Sequence, residues 1–207
     1  MNWSTLYYVA DPMCSWCWGF QPAIAEVTEM LPEDIPIRYV MGGLAKDSDE
    51  PMPEETRQYI QEQWRAVAEQ TGAEFNWDFW EKCLPRRSTY PACRAVLSAA
   101  AQHPLGGPLM YQRIQRAYYL DGQNPSDIDT LVSLAGELSL DTDIFAEAIV
   151  SPEIEQELQE DFTLRRSLSA NQFPSLIFEH RDDLIWLASG YDEPEHIYEM
   201  LSAALVS

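Results

Sequence analysis

The period of the apolar positions changes twice along the chain. Leu6-Tyr7-Tyr8-Val9 is an unbroken apolar and aromatic run, the pattern of a short buried strand, and it stops at Asp11-Pro12. Ile24, Val27, Met30 and Leu31 then recur at helical spacing, with Pro22 marking either a kink or the true start of the helix. Ile35 to Met41, led in by Pro32 and Pro36, reads as a second strand. From there the helical period takes over. Ile60, Trp64, Val67 and Ala68 share one face between Pro53 and a stop at Gly72. Ala92, Ala95, Val96, Ala99 and Ala100 form a second face, and Leu109 to Tyr118 a third helix. Ile128, Leu131, Val132, Ala135 and Leu138 form the next, with Asp127 placed to cap it. Ile154, Leu158, Phe162 and Arg165 follow the start signal Ser151-Pro152. The alternation then shortens again. Phe173-Pro174-Ser175 introduces the strand-like Leu176-Ile177-Phe178, Arg181-Asp182-Asp183 makes a turn, and Leu184 to Ala188 closes a hairpin that Gly190 ends. Asp192 and Glu195, around Pro194, have capping-box spacing ahead of a last helix with Ile197, Leu201 and Ala204 inward.

The order is therefore βαβ, a run of helices, then ββα. Neither end holds enough strands to stand alone, so the two must share one sheet. The expected fold class is α/β: residues 1–49 and 169–207 form the sheet domain, and residues 50–168 are an all-helical insertion.

The chemistry concentrates where the first strand meets the first helix, at Cys14-Ser15-Trp16-Cys17. Unpaired amides at a helix start stabilise negative sulfur and lower a thiol pKa from about 8.5 towards about 3.5–7.5. Cys14 is then the exposed nucleophile, and Cys17, one turn on, lies within disulfide reach to resolve the mixed disulfide. A bare CxxC also occurs in zinc sites, but neither Cys83 and Cys93 nor His103, His180 and His196 supply a familiar second ligand pair, so no metal is expected. Inert packing is the remaining reading, and the strand–CxxC–helix context favours redox chemistry over both. The two remaining cysteines read better as separate buried thiols than as a second redox pair, and the histidines form no constellation with Cys14 that suits a hydrolase.

Charge narrows the partners. With 34 Asp and Glu against 13 Lys and Arg, the net charge is −21, which argues against nucleic acid and anionic membrane surfaces. Met1-Asn2-Trp3 and the residues after it lack the basic and apolar regions of a secretory signal, and no apolar window is long enough to span a membrane, so a cytoplasmic protein is expected. Four cysteines in 207 residues are too few for a disulfide scaffold.

The segment Asp11-Pro12-Met13-Cys14-Ser15-Trp16-Cys17-Trp18-Gly19-Phe20 resembles the active-site segment of the DsbA family, in particular its FrnE-like branch, which lies near the 2-hydroxychromene-2-carboxylate isomerases and kappa-class glutathione transferases. The resemblance implies a thioredoxin fold with a helical insertion between its βαβ and ββα halves, and a cis-proline facing the CxxC, for which Pro174 is the matching position. It also places Thr89, Tyr90 and Pro91 near the site, where plain helix capping is the simpler account. The related isomerases and transferases use Ser with glutathione, so two cysteines here favour disulfide exchange. Two departures leave the substrate and the redox potential open: Ser15-Trp16 between the cysteines, and the bulky Phe173 before the proline where the family often has glycines nearby.

The expected function is thus a cytoplasmic dithiol–disulfide oxidoreductase, working as reductase or isomerase on protein, peptide or small-thiol substrates. Cys14 and Cys17 are its catalytic pair, and Ser15, Trp16, Phe173 and Pro174 contact substrate. It needs no cofactor beyond its own disulfide; glutathione is a candidate co-substrate and the recycling reductant is open. Two alternatives remain, a chaperone-like peptide-binding module in which the cysteines are incidental, and a glutathione-dependent isomerase or transferase. Trp16 and Trp18 are candidates for lining a groove, with packing the preferred role for Trp18. Asp11 either tunes Cys14 or merely marks a turn.

Overall fold

The computed structural model describes residues 4–181 and 183–206. The N-terminal Met1, Asn2 and Trp3, and Asp182 of the expected turn, lie outside these described residues.

Strand β1 (Ser4–Ala10) occupies the centre of a four-stranded sheet of order β2-β1-β3-β4. It pairs in parallel with β2 (Ile37–Met41), Leu6 opposite Ile37, and antiparallel with β3 (Ser175–His180), Leu6 opposite Phe178. Strand β4 (Asp183–Ser189) closes the hairpin antiparallel to β3, with a register shift between Leu176 and Ile177. The period of two sorts side chains to opposite faces. Leu6, Tyr8, Leu176 and Phe178 enter the main core, while Val9, Val40 and Ile177 form a smaller cluster closed by Leu168 and Ala170. The chain has the thioredoxin-like fold: this mixed sheet carries ten helices among the described residues.

The first helical stretch is divided. Helix α1 (Ser15–Gly19) lasts little more than one turn, and α2 (Gln21–Met30) begins afresh with Pro22 in its first turn, so the proline is a start and not a kink. A β-carbon on Gly19 would sit 2.8 Å from Val67 and 2.9 Å from Thr71, so the bare backbone lets α1 lie directly on α3 (Glu54–Thr71). The chain continues through α4 (Phe79–Lys82), α5 (Tyr90–Gln102), α6 (Gly106–Tyr119), α7 (Ile128–Glu137), α8 (Thr142–Ala148) and α9 (Pro152–Ser167) before returning to the sheet, and α10 (Pro194–Leu205) ends it. One continuous cluster of buried side chains runs from the sheet through these helices, from Leu6 and Tyr8 to Tyr111 and Leu131. Trp64 is its bulkiest fully buried member, with the rings of Phe75, Trp77, Phe79, Trp80, Tyr118 and Tyr119 all centred within 6.0 Å.

The caps follow the expected positions only in part. Ser151 accepts the Ile154 N–H at 3.2 Å and starts α9 as expected. Asp127 stands at the start of α7 but makes no cap; its carboxylate is held by Arg86 at 2.6 Å, because an ion pair outcompetes a bond to one amide. The capping box of α10 does not form either. Glu193 is the boundary residue, and Asp192 bonds instead to the Glu193 N–H and to His196.

Candidate active site

The site lies where β1 ends. After Ala10 the chain turns through Asp11-Pro12-Met13, and the Cys14 N–H bonds the Asp11 carbonyl at 3.0 Å. Asp11 is fully buried. Its carboxylate accepts the Met13 N–H at 2.8 Å, the Leu44 N–H at 2.8 Å and the Thr89 hydroxyl at 2.7 Å, and the Cys93 thiol lies 3.7 Å away. One carboxylate thereby pins the CxxC loop, the segment after β2 and the start of α5. Burial pushes its carboxyl pKa up, and the three hydrogen bonds and the charge of Arg87 pull the other way. The turn reading of Asp11 is correct but incomplete, and Thr89 serves this carboxylate in place of capping α5.

Cys14 is the residue before α1 and Cys17 sits within it. Both are free thiols and both are buried, Cys14 keeping 7% of its surface and Cys17 none. The nucleophile position is therefore far less exposed than the spacing suggests, because Phe173 and the cavity walls close over it. The Cys17 thiol is hydrogen-bonded to that of Cys14; burial, then this contact, push its pKa well above the ordinary thiol value.

Opposite stands the loop before β3. The Phe173–Pro174 peptide is cis, and the Phe173 carbonyl oxygen accepts from Cys14 Sγ at 3.7 Å. The Phe173 ring is held against Gly42, where a β-carbon would come within 2.7 Å of it, and the Arg165 guanidinium lies 5.6 Å from its centre.

These elements enclose a cavity of about 200 Å³. Cys14, Ser15, Trp16 and Phe173 line it; Pro174 is buried behind the wall, and Cys17 lies beneath Cys14 off the cavity. The structure thus brings four of the six expected residues to the wall of one cavity, with Cys17 hydrogen-bonded to Cys14 beside it and Pro174 buried next to Phe173. Trp16 is fixed by its indole N–H bonding Gln63 at 3.0 Å, whereas Trp18 bonds the Glu74 carbonyl and stacks on Tyr119, a packing role. A wider depression of about 710 Å³ shares Trp16, Tyr59, Gln63 and Phe173 with the cavity and continues past Gly190 and Tyr191. Tyr59, Gln63 and Arg87 are wall residues that the sequence reading passes over. Arg86-Arg87 in so acidic a chain is a signal, though nothing in the sequence tells which arginine turns inward. Cys83 bonds the Gly122 carbonyl and Cys93 faces Asp11, so the two thiols have separate surroundings. Among the described residues no group of three or more His, Cys, Asp or Glu could hold a metal ion, and no helix is long and apolar enough to cross a membrane.

Comparison with known proteins places this geometry. The sequence profile described as thioredoxin matches residues 7–199. A Nitrosomonas europaea structure, provisionally assigned as a protein disulfide isomerase, superposes with a TM-score of 0.86 at 29% identity over 98% of each chain. The cytosolic disulfide reductase DsbM of Pseudomonas aeruginosa superposes with a TM-score of 0.79 at 29% identity over 98% of each chain, and has also been solved with glutathione. The ClpXP adapter protein SpxH of Halalkalibacterium halodurans is 24% identical over 199 residues, covering 93% of this chain and 64% of its own length. The chain therefore spans less than two thirds of that relative.

Proposed function

The chain belongs to the thioredoxin family and is a DsbA-like oxidoreductase in fold, and on that premise we propose that it reduces or isomerises disulfides of protein, peptide or small-thiol substrates in the cytoplasm through Cys14 and Cys17. The observation that carries this reading is the position of Cys14 Sγ, at the start of α1, on the cavity wall and 3.7 Å from the Phe173 carbonyl, with Cys17 enclosed beneath it. Cys14 thiolate attacks one sulfur of a substrate disulfide. The substrate S–S bond breaks, a Cys14 mixed disulfide forms, and one thiolate leaves with the electron pair and takes up a proton. Cys17 then loses its proton and attacks the Cys14 sulfur. The second substrate thiol is released, and the protein is left oxidised by two electrons as the Cys14–Cys17 disulfide. A thiol reductant such as glutathione returns it to the dithiol by the reverse exchange. The raised pKa of Cys17 suits a thiol that stays protonated until the mixed disulfide has formed next to it.

Substrate meets Ser15, Trp16 and the Phe173 side of the cavity, with Pro174 setting the backbone that Phe173 presents. The reducing direction agrees with the DsbM relative, and with a cytosolic thiol poise of about −220 to −320 mV, which keeps most dithiols reduced.

The test is insulin reduction with dithiothreitol as electron donor. The wild-type chain is expected to accelerate it, Cys14→Ser to abolish the acceleration, and Cys17→Ser to accumulate covalent mixed disulfides. No thiol-dependent acceleration would favour a second reading, a protein-binding adapter in which the cysteines are incidental, which the SpxH relatives support.

A further inference from the structure

We propose that Arg87 makes the cysteine cavity selective for small thiols and disulfides that carry a free carboxylate on the residue after the reacting cysteine, glutathione with its terminal glycine being the type. The inference rests on the disulfide exchange proposed above and adds the substrate class.

Composition alone points the other way. At −21, the long-range field of the chain repels anionic substrates and attracts cationic ones. Yet the charged side chain on the wall of the cavity that holds Cys14 is a cation, Arg87. Three other arginines of the helical block are neutralised. Arg86 bonds the Ser126 carbonyl and Asp127, Arg94 bonds Asp47 and Glu155, and Arg113 bonds Asp121 and Glu137. Arg87 is half-buried and has no hydrogen bond or ion pair with any described residue. The nearby buried carboxylate, Asp11, already takes three hydrogen bonds from Met13, Leu44 and Thr89. The guanidinium thus keeps its planar fork of donors for a ligand, and a carboxylate is the group that fork fits.

Gln63 adds to the same wall. Its amide oxygen is taken by the Trp16 indole, which leaves the NH₂ group to donate. A cavity of about 200 Å³ takes a cysteinyl sulfur and the glycine carboxylate beyond it, and the rest of the peptide follows the wider depression past Tyr191, where the carboxylates of Asp192 and Glu193 face the ammonium group of its γ-glutamyl end. In the step this serves, Cys14 displaces one glutathione thiolate from oxidised glutathione, and Cys17 displaces the second from the mixed disulfide.

The experiment measures oxidation of the reduced full-length protein by oxidised glutathione, by neutral hydroxyethyl disulfide and by cationic cystamine. Each rate is divided by that of dithiothreitol with the same disulfide, which removes intrinsic reactivity. The wild-type chain is expected to prefer oxidised glutathione, against the sign of its net charge. Arg87→Met should slow oxidised glutathione about tenfold, the worth of one charge-assisted contact, and leave hydroxyethyl disulfide unchanged, while Arg87→Lys recovers part of the loss. Equal slowing of all three disulfides would overturn the proposal, because the arginine would then act on the Cys14 sulfur and not on substrate. No change with any of them, or loss of insulin reduction with an unchanged preference for glutathione, would overturn it too. A wild-type chain that reacts with none of the disulfides and does not reduce insulin would bring down the exchange reading itself, a result distinct from failed selectivity. An acidic protein disulfide as the true source of the carboxylate would show as Arg87→Met slowing insulin as much as oxidised glutathione.

Discussion

Two buried regions lie on either side of α1, and they are held by different physics. Around Trp64, seven aromatic rings meet edge to face, tilted or, for Phe75, stacked, and the indole N–H groups of Trp64 and Trp80 and the Tyr119 hydroxyl have no partner among the described residues. Around Asp11 the reverse holds, with a carboxylate of no exposure at all whose oxygens receive three hydrogen bonds from N–H and O–H donors and a longer one from the Cys93 thiol. The aromatic box accepts the cost of unpaired donors in return for apolar contact area. The carboxylate site contributes little apolar contact but fixes three chain segments to within a hydrogen-bond length. Stability and the geometry of the cysteine site are therefore supplied from separate places, and each can be attacked alone.

The largest expected effect is in the box. Trp64→Ala should lower unfolding stability by about 3–5 kcal/mol, the range for deleting a large core aromatic, as read from the denaturant midpoint. The protein that remains folded should keep its rate of disulfide exchange. A fall in exchange out of proportion to the folded fraction would mean that the box also holds the site.

A less well-bonded buried carboxylate sharpens the contrast. Asp161, on α9, accepts the Met41 N–H at 2.8 Å and has only a loose pair with Arg38 at 3.6 Å. Burial pushes its pKa from the ordinary 3.8 to about 6. A carboxyl raised in the folded state stabilises the fold where it is protonated in both states, and loses that contribution as pH climbs through its folded value. Measured against Asp161→Asn, the wild-type chain should therefore lose stability between about pH 4 and pH 6, by up to about 3 kcal/mol, and run parallel to the variant above that range. Parallel curves throughout would show that Asp161 is solvated in solution.

The smallest effect belongs to the Asp11 site. Thr89→Val removes one donor from the carboxylate and should cost about 1 kcal/mol while moving the Asp11 pKa further up. The readout that separates this from simple destabilisation is the pH profile of mixed-disulfide resolution by Cys17, whose thiol feels the Asp11 charge and should shift with it. An unchanged profile would confine Asp11 to holding the loop.

The same contrast explains what could be read from the chain beforehand. Elements that depend on local period were legible. All four strands lie within a residue or two of the apolar runs at Leu6–Val9, Ile35–Met41, Leu176–Phe178 and Leu184–Ala188, and Ile60, Trp64 and Val67 do face inward. Features decided by distant partners were not. The break between α1 and α2 answers to α3 pressing on Gly19, Asp127 left its cap for Arg86, and Thr89 left its helix for Asp11. The low exposure of Cys14 depends on Phe173, far along the chain. The cysteine spacing announces a thiol site, but which of two adjacent arginines turns towards it is decided by distant partners, Ser126 and Asp127 holding Arg86, to which local sequence is blind.

The central strand has a consequence for how the protein is made. Ser4 meets His180 across a separation of 176 positions, so β1 gains its second neighbour only when the last of the chain is available. A ribosome delivers residues in order, at roughly 5–20 per second. Both cysteines therefore leave it many seconds ahead of Phe173 and stand without that cover throughout, facing whatever oxidants and thiols the compartment holds. The nascent protein passes through an interval in which its cysteine pair is chemically present but structurally open, and the closing of the hairpin ends that interval.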